Sequence, residues 1–139
     1  LDRKVAIIAD TSGILALLDR DEQYHNTTVR AVSGSSLWIP STVLPEVDYL
    51  ATKYLGDRVA KSFLDAVVTG YFTYITVELP DIERALQIMQ QYEGVPLGLV
   101  DSSVVAIAER YQIQQILTLD RRHFSLIQPK GLPHLELLP

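Results

Sequence analysis

The sequence contains no cysteine, and that absence removes disulfide frameworks, thiol nucleophiles and zinc–thiolate centres together. It also fits a reducing compartment, so a cytoplasmic location is expected. No apolar run approaches the roughly 20 residues a membrane-spanning helix needs, so no membrane role is expected. The first residues also lack the hydrophobic region of a signal peptide. There is no internal repeat, low-complexity tract or linker. The turn after the first apolar run lacks Gly-x-Gly-x-x-Gly, which argues against dinucleotide-dependent redox chemistry. Positive charge is scarce too: the formal net charge is −5, which disfavours a nucleic-acid partner unless some of the acids have another use.

The 139 residues, 47% apolar and 21% charged, suit one globular domain with its own core. Val5-Ala6-Ile7-Ile8-Ala9 is apolar without alternation, the pattern of a strand buried on both faces of a parallel sheet. Further strands are expected at Leu37–Ile39, Tyr71–Val77 and Gln115–Leu119, with a short fifth near Leu135–Leu138. Between them, helices are expected over Ile14–Leu18, Glu22–Val32, Val43–Tyr54, Arg58–Val68, Ile82–Tyr92 and Leu99–Tyr111. Ser41-Thr42 reads as the cap of the third helix, and Val43, Val47, Leu50 and Tyr54 as its apolar stripe. Strands separated by crossover-length helices imply an α/β fold, a sandwich with helices on both faces of a mainly parallel sheet.

Four carboxylates interrupt apolar surroundings. Asp10 ends the first strand and Asp120 the fourth, while Glu46 and Asp101 sit in the first turns of helices. In a parallel sheet the C-terminal strand ends and the following helix N-termini share one rim, where such folds bind ligands. Each acid also has a structural reading. Asp10 suits a helix cap, Glu46 and Asp101 suit the positive end of a helix dipole, and Asp120 suits a turn. Asp101 reaches the rim only if the Gly94–Gly98 turn bends towards it. Two unit charges about 4 Å apart repel by about 4 kcal/mol at an effective dielectric of about 20, so four gathered acids call for a cation. Oxygen donors without cysteine or paired histidine select Mg²⁺ or Mn²⁺. Setting those acids aside leaves a nearly neutral surface, with basic groups at Arg3-Lys4, Lys53, Arg58 with Lys61, and Arg121-Arg122-His123. His25 reads as a surface residue. Asp48 lies on the helix face opposite Glu46, and Trp38, Tyr49 and Tyr54 read as core rather than as base-stacking platforms.

Four segments together carry a resemblance: Asp10-Thr11-Ser12, Leu44-Pro45-Glu46-Val47, Gly98-Leu99-Val100-Asp101-Ser102-Ser103 and Leu117-Thr118-Leu119-Asp120-Arg121-Arg122-His123-Phe124. In order and spacing they resemble the motifs of PIN-domain nucleases, most of all the VapC-type ribonuclease toxins of bacterial toxin–antitoxin pairs. The resemblance spans residues 1–139 as a single PIN-like domain. It implies a three-layer α/β/α sandwich of four to five strands and a metal-dependent endoribonuclease using one or two Mg²⁺ or Mn²⁺ ions. By the same resemblance, Asp10 and Asp101 are the principal metal ligands and Glu46 and Asp120 complete the pocket. Thr11 or Ser12 would orient a carboxylate or a bound water, and Arg121 and Arg122 would clamp RNA phosphates. An antitoxin partner and a homodimer are implied as well. Three other readings stay open: a housekeeping RNA-processing nuclease, a metal-dependent phosphotransfer domain, and a non-catalytic RNA-binding module. A phosphatase would want an acid where Ser12 stands, and a module that had lost catalysis would lack one of the four acids.

Overall fold

The computed structural model describes residues 4–139, so Arg3 of the basic pair lies outside the described residues. Strands β1 (Ala6–Ala9), β2 (Ser36–Pro40), β3 (Thr73–Ile75), β4 (Gln115–Leu117) and β5 (Glu136–Leu138) form one sheet in the order β3-β2-β1-β4-β5. Every neighbouring pair is parallel: Ile7 lies beside Leu37, Ile8 beside Ile116, Trp38 beside Thr73 and Ile116 beside Leu137.

The helices are α1 (Thr11–Leu18), α2 (His25–Val32), α3 (Val43–Leu55), α4 (Asp57–Val68), α5 (Leu79–Gln91), α6 (Leu99–Tyr111) and α7 (Arg121–Phe124). The chain moves outward from β1 through β2 to β3, then crosses back to β4 on the far side of β1. Right-handed crossovers in opposite directions place their helices on opposite faces. Accordingly α1 to α4 pack among themselves, and α5 pairs with α6. The central strands are therefore covered twice, and Ile7, Ile8, Ile39, Ile116 and Leu117 are buried against Val43, Val47, Val104 and Ile107. Arg84 clamps α5 to α6 through two bonds to Glu109, Nε to Oε1 at 2.7 Å and Nη2 to Oε2 at 3.0 Å.

Several local expectations shift. Helix α1 starts at Thr11 because Asp10 caps it, whereas Glu22 to Tyr24 turn before α2 begins. Helix α5 starts at Leu79, since Glu78 and Asp81 form a reciprocal capping box. Ser41 and Thr42 do not cap α3: the Val77 N–H donates to Ser41 Oγ at 2.9 Å, and Thr42 reaches across to Ser103. Tyr49 and Tyr54 are not core, being 62% and 69% exposed; the buried stripe of α3 is Val43, Val47 and Ala51. Trp38 does pack inward, half-buried, with its ring edge-on to Tyr111. His25 is half-buried rather than on the surface, its Nδ1–H donating to Ala16 O at 2.8 Å and joining α2 to α1.

Candidate active site

The reversal of strand order falls between β1 and β4, so their C-terminal ends flank the crevice where ligands enter open α/β sheets. Asp10 follows β1 there and is 3% exposed. Its backbone N–H donates to Leu117 O at 3.0 Å, tying the two strand ends together. One carboxylate oxygen accepts from Ser12 Oγ and from the Gly13 N–H, each at 2.8 Å; the other accepts from Thr118 Oγ1. Asp10 is thus the helix cap and a fixed carboxylate in the crevice at once. Burial raises its pKa; the three hydrogen bonds oppose the rise and the charge of Asp120 adds to it.

Ser12 and Thr118 each work in both directions. Ser12 Oγ accepts from Leu119 N–H at 2.9 Å while donating to Asp10, and Thr118 Oγ1 accepts from Asp120 N–H at 2.9 Å while donating to Asp10. The backbone that presents Asp120 is therefore anchored to Asp10. Thr11 plays no such part: it is buried and its Oγ1 has no hydrogen-bond partner among the described residues, and the same holds for Ser102. Gly13 allows this closeness, because a Cβ at that position would lie 2.5 Å from Leu117 O.

Helices α3 and α6 deliver the other two acids from their first turns. Ser103 Oγ donates to Val100 O at 2.7 Å, which leaves Thr42 to donate to Ser103 Oγ at 2.6 Å. This relay fastens the start of α3 to the start of α6, and so sets Glu46 beside Asp101. The Asp101 carboxyl is pushed up to about 6, first by burial and then by the charges of Asp10, Asp120 and Glu46, with His123 pulling the other way. Asp101 therefore feels the charge of each of the other three sequence-identified acids, and Asp10 that of Asp120. Ligand atoms of Asp101, Asp120 and His123 lie within 4.8 Å of one another. Asp10 sits deeper, and Glu46 is more exposed at the edge.

His123 and Thr118 are contributors the sequence reading did not assign. His123 Nδ1 donates to Asp120 Oδ2 at 3.1 Å, orienting that carboxylate. With Nδ1 engaged this way Nε2 keeps its lone pair, so the donors gathered here are carboxylate oxygens with a single imidazole nitrogen, a mainly oxygen set that suits Mg²⁺ or Mn²⁺. The two arginines differ. Both are exposed, but Arg121 donates to Leu137 O at 3.0 Å and to Pro139 O at 2.6 Å, holding the end of β5, whereas the Arg122 guanidinium makes no such bond among the described residues.

Because Thr118 serves both acids, Thr118→Val should lower divalent-cation affinity about 10–100-fold, the usual cost of losing a partner that orients a ligand. Thr118→Ser should restore most of it. Calorimetric titration with Mn²⁺ checks both, and an unchanged affinity in the valine variant would remove Thr118 from the site.

A parallel sheet with interacting carboxylates gathered at its switch point defines a doubly wound α/β protein with an acidic centre fit for a divalent cation. The chain belongs to the PIN-domain family, whose domain matches residues 7–128. Over 135 residues it is 32% identical to ribonuclease VapC26 of Mycobacterium tuberculosis, covering 96% of this chain and 100% of that one. The fold matches the crystal structure of Mycobacterium tuberculosis VapC20, a sarcin–ricin loop cleaving toxin, with a TM-score of 0.80 at 21% identity over 96% of this chain and 99% of that one. It also matches VapBC2 from Rickettsia felis, solved bound to a DNA fragment from its promoter, with a TM-score of 0.71 at 16% identity over 97% and 100% of the two chains.

Proposed function

We propose that this protein is an endoribonuclease dependent on Mg²⁺ or Mn²⁺, acting in the cytoplasm as a homodimeric toxin restrained by an antitoxin protein. The observation that carries the reading is the four-acid centre at the β1–β4 crevice, in a chain similar along nearly its whole length to a named ribonuclease. Relatives of the same fold solved as toxin–antitoxin complexes support the partner.

In this reading Asp10, Asp101 and Asp120 hold one or two ions, with Glu46 completing the pocket from its edge. A bound cation supplies a positive charge against the phosphate and a water acidified enough to attack it. The protein's own part is preorganisation. Ser12, Thr118 and the Gly13 N–H keep the Asp10 oxygens aimed, and His123 does the same for Asp120. Glu46, exposed at the edge of the centre, is in this reading the group that would accept a proton from the attacking water. Arg122, exposed two residues after Asp120, would meet an RNA phosphate in this reading. Arg121 supports it indirectly by fixing the last strand.

Cleavage of RNA by the purified protein should stop in EDTA and return with Mg²⁺ or Mn²⁺; activity that persists in EDTA sinks the metal mechanism. Expression should arrest growth, and a small co-expressed antitoxin should relieve the arrest. Cleavage without growth arrest would favour a housekeeping processing enzyme.

A further inference from the structure

Beside the acidic centre, a cleft of about 280 Å³ opens between α1 and α3. Ser12 and Leu119 form its inner end, so it is continuous with the residues that hold Asp10 and present Asp120. Its lining is mostly apolar, with Leu15 and Leu50 among it, and includes the Tyr54 ring. The volume falls just below the roughly 300–1,000 Å³ used by drug-sized ligands, which suits a single planar ring system.

Three features point to the occupant. Tyr54 is 69% exposed, which leaves much of a large ring open to stack on a ligand. Glu46, Leu50 and Tyr54 succeed one another at helical spacing, so this face of α3 runs from the acidic centre to the cleft. Lys53 Nζ lies 5.2 Å from the Tyr54 ring centre and 6.0 Å from that of Tyr49, placing a cation and a second exposed aromatic ring alongside. Aromatic rings interleaved with a cation suit single-stranded nucleic acid, whose bases stack while its phosphates are neutralised.

The cleft also holds two carboxylates, Asp19 and Glu22. Each is oriented by a local backbone donor: Asp21 N–H to Asp19 Oδ1 at 3.0 Å, and Tyr24 N–H to Glu22 Oε2. Acceptor-only groups select a base edge rich in N–H donors. Guanine is the base that presents two adjacent donors on its Watson–Crick edge, a ring N–H and an exocyclic amine, which together match one carboxylate.

We propose that this cleft is a guanine-selecting pocket for a nucleotide adjoining the scissile phosphate of single-stranded RNA, with Tyr54 as the stacking surface and Asp19 and Glu22 as the acceptors. The proposal rests on the ribonuclease reading for its cleavage arm but not for its binding arm.

In the cleavage arm, a random-sequence RNA oligonucleotide pool is cut with Mn²⁺ present and the products are sequenced. The wild-type protein enriches guanine at one fixed position beside the cut. An Asp19→Asn, Glu22→Gln double variant still cuts but loses about tenfold of that enrichment. Tyr54→Ala lowers kcat/KM by about tenfold or more, the scale of one lost base stack, and Tyr54→Phe restores it. In the binding arm, guanosine 5′-monophosphate shifts the NMR signals of Ser12, Leu15 and Tyr54 in the wild-type protein, and adenosine, cytidine and uridine monophosphates do so at much higher concentration. Cutting without guanine enrichment, or enrichment that survives the double variant, overturns the pocket. So does equal response to all four nucleotides, and cutting that ignores the cleft variants assigns this face to a protein partner instead. If no RNA is cut, the ribonuclease reading fails while the nucleotide titration still decides the pocket.

Discussion

Asp101→Asn should reduce RNA cleavage by about a thousandfold or more while making the metal-free protein more stable at neutral pH. The loss should exceed the 10–100-fold typical of residues that only orient a metal ligand, because Asp101 supplies a ligand oxygen itself. The gain in stability follows from the same geometry. Its pKa is raised from 3.8 to about 6 by burial and by three neighbouring acids. Between those values the folded chain binds a proton that the unfolded chain releases, so stability falls as pH climbs through the interval and levels off above it. At pH 7 the folded state carries the full penalty. A tenfold change in proton affinity corresponds to about 1.4 kcal/mol, and solvent screening of this half-open group reduces the total to about 1 kcal/mol. In EDTA the wild-type protein should therefore gain stability on moving from pH 7 to pH 5, and the asparagine variant should lose most of that gain. Urea unfolding at the two pH values measures both slopes. A variant as pH-sensitive as the parent would show that Asp101 does not bear the repulsion, and full cleavage by it would remove Asp101 from the catalytic centre.

Expectations that rested on local pattern and on chain order held well. Four of the five apolar residues ahead of Asp10 form the covered strand, with Val5 exposed before it, and helical segments of crossover length specify parallel neighbours, so the sheet and the position of its rim were legible in the sequence. The acids stood out because charge inside apolar context needs a reason. Helix phase was harder to read. Tyr54 falls at the right spacing after Val47 and Leu50 to look buried, yet in the last turn of α3 its ring lies open beside a cleft. Thr118 carried no signal at all: within Ile116-Leu117-Thr118-Leu119 a β-branched residue reads as ordinary strand, and its partner Asp10 lies 108 residues away. His123 was grouped with two arginines as basic surface, although a single turn of α7 aims it at Asp120. Partners so distant in sequence become visible only when the fold closes, whereas the acids they support announce themselves by their charge.

Gly13→Ala gives the sharpest contrast between local preference and packing. Gly13 lies within α1 and its φ is not in the left-handed region, so helix propensity alone favours alanine by up to about 1 kcal/mol. The surroundings reverse the sign. The added methyl would sit 2.5 Å from Leu117 O, 2.8 Å from Leu117 Cγ and 2.9 Å from Leu117 C. The first and third of these are backbone atoms of β4, whose Leu117 pairs with Ala9 and Leu138 and accepts the Asp10 N–H, so the strand cannot yield alone. Overpacking of this kind costs about 1–3 kcal/mol, and a clash with a central strand belongs at the upper end. Any relief must part the ends of β1 and β4, pulling Thr118 from Asp10 and displacing Asp120 with it. The expected result is a protein destabilised by about 3 kcal/mol whose folded fraction still cleaves RNA at least tenfold more slowly, since the centre tolerates little displacement. Thermal melting followed by cleavage assays well below the transition separates the two effects. An alanine variant that melts higher than the parent would mean that α1 and β4 do not approach as closely as the acidic centre requires.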